Sequence, residues 1–153
     1  MKIVLVNYRY FFSGGPERYM FNIKELLEKE GHEVIPFSVQ HNKNAETPYS
    51  KYFLSPIGSG DEVYFSDVQK SKMSLKEKWK GLTRMIYSYE AKKCFKKLLS
   101  DVKPDLVYVL YYQAKISCSI VQAAWEMKIP VVQRISDYSL LVPCSLYFRR
   151  NDC

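Results

Sequence analysis

The first forty residues carry the pattern that most restricts the fold. A short, continuous apolar run, Lys2 to Asn7, contains β-branched residues and suits a strand buried on both faces. Two adjacent glycines follow, Gly14 and Gly15. From Tyr19 to Glu30, Met20, Ile23, Leu26 and Leu27 then recur at helical spacing, with Lys24, Glu25, Glu28 and Lys29 opposite them. Gly31 stands where a helix stop needs a left-handed residue. A second strand is predicted over Glu33 to Val39. Strand, helix and strand in so few residues make a βαβ unit, whose crossover is right-handed.

The rest of the chain extends this unit. Residues 40 to 70 are polar and rich in Tyr, Ser, Asn, Pro and Gly, and read as a long loop. Helical character returns from Ser74 to Ser100, opened by a Ser74–Glu77 capping box. Leu75, Trp79, Leu82, Ile86 and Tyr89 share one face there, which predicts an amphipathic helix covering the sheet. Leu106 to Leu110 is a third buried strand. Ser117 to Met127 is a helix whose apolar set is Ile120, Val121, Ala124 and Trp125. Lys128 to Ser136, entered through Pro130, is a fourth strand. The alternation predicts a Rossmann-like α/β fold, a three-layer parallel sheet with helices on both faces.

Composition fits a folded domain, at 47% apolar and 25% charged residues. No apolar run approaches the roughly 20 residues of a spanning helix, and the N-terminal run is too short for a signal peptide. These features predict a cytoplasmic protein. The net charge is +7, and from Lys70 to Lys103 ten lysines and one arginine meet three acids. Such a basic stretch suits an anionic membrane or nucleic acid, or simply a solvated helix face. No RNA-binding motif accompanies it, which argues against nucleic acid. Cys94 and Cys118 lie in helix-like or apolar stretches, as buried free thiols often do. Cys144 and Cys153 match no zinc signature.

In an open parallel sheet, ligands bind at the carboxyl ends of the strands. Three segments fall there: "NYRYFFSGGPER", "YYQAK" and "RISDYSLLVP". Gly14 and Gly15 precede a helix N-terminus, whose dipole favours anions. They match neither G-x-G-x-x-G nor the P-loop pattern, so a tight turn and a phosphate cradle both remain open. Ser136 and Asp137 end a buried strand, where reactive groups are often presented, though a lone Asp there is commonly a cap. The two histidines, His32 and His41, lie far away in sequence. A Ser-His-Asp triad and a histidine metal site are therefore both poorly supported, and no metal is expected.

Taken in order, "KIVLVNY", "GGPER", "YSKYFLSPI", the basic helical stretch, "KPDLVYV", "IPVVQRISDYSLLVPC" and "RNDC" resemble a known pattern. It is that of the N-terminal half of GT-B glycosyltransferases of the retaining family 4. The resemblance spans nearly all 153 residues. It implies one Rossmann-like domain on the acceptor side of a two-domain cleft, with a C-terminal donor domain and its E-x(7)-E motif missing here. The chain alone is then expected to be an incomplete, inactive piece. The implied substrates are a nucleotide-sugar and a glycan or lipid-linked acceptor, with no metal or other cofactor. Gly14 and Gly15 would meet the donor diphosphate. Arg9, Tyr10, Tyr112, Arg134 and Tyr138 would line the acceptor crevice, with Ser136 and Asp137 nearest the chemistry. The family usually has a histidine where this chain has Ser136, and a serine is no base near neutral pH. The lysines would rest on the membrane surface. A non-catalytic phosphate-binding module and a basic docking protein remain as alternatives.

Overall fold

The computed structural model describes residues 1–57, 74–112 and 115–135. Four parallel strands form one sheet in the order β2-β1-β3-β4. They are β1 (Lys2–Asn7), β2 (Glu33–Phe37), β3 (Leu106–Tyr111) and β4 (Val131–Gln133). Helix α1 (Gly15–Lys29) links β1 to β2. Helices α2 (Leu75–Ile86) and α3 (Tyr89–Val102) precede β3, and α4 (Ser119–Glu126) leads into β4. In register, Ile3 faces Val34 on one side and Leu106 on the other, and Val107 faces Val131.

Strand alternation sorts the core into two layers. Val4, Val6, Ile35, Phe37, Val107 and Val109 pack against Phe95, Leu98 and Leu99 of α3 and Ile120 and Ala124 of α4. Leu5, Val34 and Leu110 point the other way, against Met20 of α1, Tyr10 and Phe53. Helices therefore cover both faces, as the sequence pattern predicts. Helix α1 stops where Gly31 takes φ +80°. There the amides of Gly31 and His32 bond back to the carbonyls of Glu28 and Leu27, closing a Schellman motif.

Five expectations need correction. The helix predicted from Ser74 to Ser100 is two helices. Ser88 is buried and caps α3 through its side chain, which accepts from the Ala91 amide. Its own amide donates to Ser117 Oγ at 3.1 Å, and its carbonyl accepts from Ser119 Oγ at 2.8 Å. For the Ser88 and Ala91 amides these side-chain bonds stand in for the backbone bonds of a continuous helix. The capping box at Ser74 and Glu77 forms as predicted.

The second correction concerns the face of α2. Its apolar stripe does not cover the sheet: Leu75, Trp79, Leu82 and Ile86 are 79%, 68%, 49% and 68% exposed. Lys80 and Arg84 turn inward instead, and Arg84 is fully buried. Tyr89 and Trp125 are exposed as well. The third correction is β4, which is three residues long and half-exposed at an edge, not a buried strand over 128–136. The fourth lies in the predicted loop: Ser50–Tyr52 form a 3-10 turn, and Tyr52, Phe53 and Leu54 are buried. Leu54 bridges to Val39, and the Tyr52 hydroxyl donates to Asp101 at 2.6 Å. Of the two thiols expected to be buried, Cys94 is half-buried and Cys118 is exposed.

Helices α3 and α4 are tied at the surface by Glu126, which meets Lys92 at 2.6 Å and Lys96 at 2.5 Å. Hydrogen bonds from the two ammonium groups hold its pKa down at about 2. A carboxylate whose folded pKa is depressed stabilises the fold above its unfolded value and loses that contribution as pH falls. The Glu126 contribution is thus whole above the usual 4.5 and drains toward pH 2. A carboxyl NMR titration should give the low value, and Lys92→Met should move it back toward 4.5. Urea unfolding should separate the two kinds of apolar residue. Phe95→Ala, in the core, should cost about 3–5 kcal/mol, whereas Trp79→Ser should change stability by less than about 0.5 kcal/mol.

Candidate functional site

All four strands are parallel, so the segments that follow them gather at one edge of the sheet. The loop after β1 is the most structured of them. Asn7 is buried, and its side-chain amide donates to the Arg9 carbonyl at 2.8 Å, turning the chain out of the strand. The Arg9 guanidinium lies 4.8 Å from the centre of the Tyr8 ring and donates to Ser13 Oγ at 3.1 Å. It also stands 3.7 Å from Glu17 Oε1. Glu17 is only 1% exposed and belongs to the first turn of α1, where the helix dipole favours a negative charge.

Gly14 and Gly15 sit at the start of that helix. Gly14 is its N-cap, in an extended conformation open to any residue, and has no side chain to cap the first amides. A Cβ on Gly14 would meet Glu17 Oε2 at an ordinary 3.5 Å, and one on Gly15 would meet nothing within 4 Å. Neither glycine is therefore required by backbone conformation or by packing. With Phe12, Ser13 and Arg18 they line an open hollow over the helix N-terminus.

The other sequence-predicted residues are spread across the two faces of the sheet. Arg134, just past β4, lies on the α1 side, 3.8 Å above the Tyr19 ring. The Tyr19 hydroxyl is 3.2 Å from that of Tyr108. Burial, and then this hydrogen bond, push the Tyr108 pKa up to about 12. Tyr10 is a core residue, packed on Phe21 and Phe53 with centroids 5.4 and 5.9 Å away. Tyr112 belongs to the opposite layer, and its carbonyl accepts from the Ile116 amide at 2.9 Å. Arg9, Gly14 and Gly15 thus come together, Arg134 lies near the same helix, and Tyr10 and Tyr112 point into separate layers. Ser136, Asp137 and Tyr138 lie outside the described residues, as do Cys144 and Cys153.

Several site residues carried no individual signal in the sequence. Glu17 stands within the quoted loop, but nothing there marks it as buried beside Arg9. Arg84 reads as one more charge on a basic helix. Among the described residues no cluster of three metal-binding side chains occurs, and no helix is long and apolar enough to cross a membrane.

No protein-family profile matches the chain. A protein of Klebsiella pneumoniae described as an "Uncharacterized 42.6 kDa protein in cps region" is 29% identical over 151 residues. The match takes in 96% of this chain and 40% of that protein, so the chain spans less than half the length of its relative.

The Arg9–Glu17 pair supplies a direct test of how the loop is held. Arg9→Met would strand a buried carboxylate. It should lower the unfolding free energy by on the order of 3 kcal/mol, measured by denaturant titration. The double variant with Glu17→Gln should recover most of that loss.

Proposed function

We propose that this chain is the acceptor-side domain of a GT-B glycosyltransferase that moves a sugar from a nucleotide-sugar to a glycan or lipid-linked acceptor in polysaccharide assembly. The observation that carries this reading is the pair of glycines at the N-terminus of α1. They follow the central strand at the carboxyl edge of a parallel sheet and face an open hollow. No positive φ and no steric contact calls for glycine at either position. Close approach of a ligand to the backbone remains as a reason for them. Amides fixed at a helix start can hold the diphosphate and stabilise the charge that develops as the nucleoside diphosphate leaves. The relative's place in a cps region supports a role in polysaccharide synthesis.

In this reading Arg9 braces the loop through Ser13 and Glu17, and Arg134, held over the Tyr19 ring of α1, serves the acceptor. Ser136, Asp137 and Tyr138 follow Arg134 in sequence and complete the proposed crevice, with Ser136 and Asp137 nearest the transferred sugar. Tyr10 acts from the core, by setting the course of the loop. In this reading a separate donor domain would form the other half of the cleft. Gly15→Asp tests the carrying observation. Its side chain has room, and a carboxylate at a helix start is favourable, so thermal stability should hold. The same carboxylate would repel a diphosphate. Complementation of a gene deletion should fall by about a hundredfold or more in polymer made, the scale of losing an oxyanion contact. Full complementation by this variant would refute the glycine contact.

The exposed face of α2 favours a second element, peripheral docking on an anionic membrane. Leu75, Trp79, Leu82 and Ile86 point outward, and Lys76 of the same helix and Lys93 and Lys97 of α3 are exposed without an ion pair among the described residues. The acids nearby are engaged: Glu77 in the capping box, Glu90 with Arg84, Asp101 with Tyr52. A second copy would bring the same lysines face to face, whereas an anionic lipid surface complements them, at about 1 kcal/mol per lysine. Vesicles of phosphatidylglycerol and phosphatidylcholine should sediment the chain and shift its tryptophan emission to the blue. Trp79→Ser with Leu82→Ser should abolish both effects. Retention of binding by that variant would exclude α2 as the contact.

A further inference from the structure

A second cavity lies at the same sheet edge, on the face opposite the glycine hollow. It encloses about 50 Å³ between the ends of β1 and β2 and the inner side of α2. A water needs roughly 10–15 Å³ by this measure. The space therefore suits a few waters or one phosphoryl group. Arg9, Arg84 and Lys115 all line it, with His41 and the rings of Tyr8 and Phe11.

Arg84 is the unusual member. It is fully buried, and burial lowers its pKa while Glu90 counters that effect. Its terminal nitrogens donate to the Ser55 carbonyl at 2.6 Å, to Glu90 at 3.1 Å and to the Lys115 carbonyl at 3.4 Å. Its Nε–H is buried and has no hydrogen-bond partner among the described residues. Leaving a buried donor unmatched costs about 1–3 kcal/mol, more when the group is charged. The guanidinium is thus locked on one side with a donor left over, at the wall of a cavity. His41 adds a second donor. Its Nδ1 accepts from the Lys43 amide at 3.0 Å, which places the ring proton of the neutral form on Nε2. Its ring is stacked on Phe11 at 4.4 Å. Among the described residues, the acids nearby are Glu17, beside Arg9, and Glu90, shared by Arg84 and Lys80.

We infer that this cavity binds a phosphoryl group carried by the acceptor, with Arg84 Nε–H donating to it and the positive charges of Arg9 and Lys115 at its wall. The inference rests on the glycosyltransferase reading and narrows its acceptor to a phosphorylated one. A phosphate monoester offers three acceptor oxygens and a charge near −2, which suits a set of cations and fixed N–H donors. The same group occurs in a soluble sugar phosphate and in a prenyl phosphate.

The Arg84 Nε–H resonance is observable by NMR in the isotope-labelled chain. Addition of inorganic phosphate should move it downfield, together with the amides of Gln40 and His41. Lys115→Met leaves the carbonyl that Arg84 uses in place and should weaken phosphate binding about tenfold. Glucose 1-phosphate and farnesyl phosphate, titrated separately, distinguish the soluble from the lipid source by which binds tighter. An Arg84 Nε–H unmoved by tens of millimolar phosphate overturns the inference. So does binding that Lys115→Met leaves unchanged. Gly15→Asp should not affect this titration. Loss of complementation by Gly15→Asp, combined with an Arg84 indifferent to phosphate, would therefore remove the phosphate site and leave the glycosyltransferase reading standing.

Discussion

Strand β1 is paired in parallel on both sides and buried on both faces, and its position governs what the rest of the chain can do. Val4 and Val6 commit one face to α3 and α4, and Leu5 commits the other to α1. With the strand fixed in this way, its carboxyl end can open only at the sheet edge. There Asn7 hands the chain to Arg9, and the loop returns as the first turn of α1. The ladder shifts register between Val6 and Asn7, so the pairing loosens where the loop departs. A parallel sheet places the ends of β2, β3 and β4 at the same edge. Two hollows there, one on each side of β1, follow from this geometry.

Arg84 plays the corresponding part for α2. An ordinary amphipathic helix lays its apolar stripe on the core. Here the buried contact is a guanidinium that joins α2 to the Ser55 carbonyl, to Glu90 at the start of α3 and to the carbonyl of Lys115. Lys80, one turn earlier, reaches Ser55, the Pro56 carbonyl and Glu90. The helix is therefore held by polar bonds on its inner side and shows its apolar side to the surroundings. Its described apolar side chains, Leu75, Trp79, Leu82 and Ile86, stay exposed, and the proposed membrane contact rests on them.

Much of the fold was legible because it depends on local rules. The continuous apolar run from Lys2, the helical spacing of Met20, Ile23 and Leu27, and the stop at Gly31 each act within a few residues. Each element is present in the structure, although α1 begins four residues earlier than expected, β2 ends at Phe37, and Leu26 of the expected apolar face is exposed. Ser74 and Glu77 belong to the same class. What could not be read depends on contacts distant in sequence. The break at Ser88 is held by Ser117 and Ser119, some thirty residues away. The inward turn of Arg84 needs Ser55 and Lys115. The burial of Tyr10 needs Phe53. At the site, the glycines and Arg9 were legible by their place after β1, whereas the cavity behind Arg84 had no signature, because its walls come from five separate segments.

Sugar transfer itself is the most direct measurement. The protein that carries this chain would be incubated with labelled UDP- and GDP-sugars and with membranes from a strain lacking its gene. The predicted result is label passing from one nucleotide-sugar to the membrane acceptor, with nucleoside diphosphate released and the anomeric configuration retained. Folded protein that transfers label from none of these donors, on membranes that the intact strain's own extract can extend, would contradict the glycosyltransferase assignment.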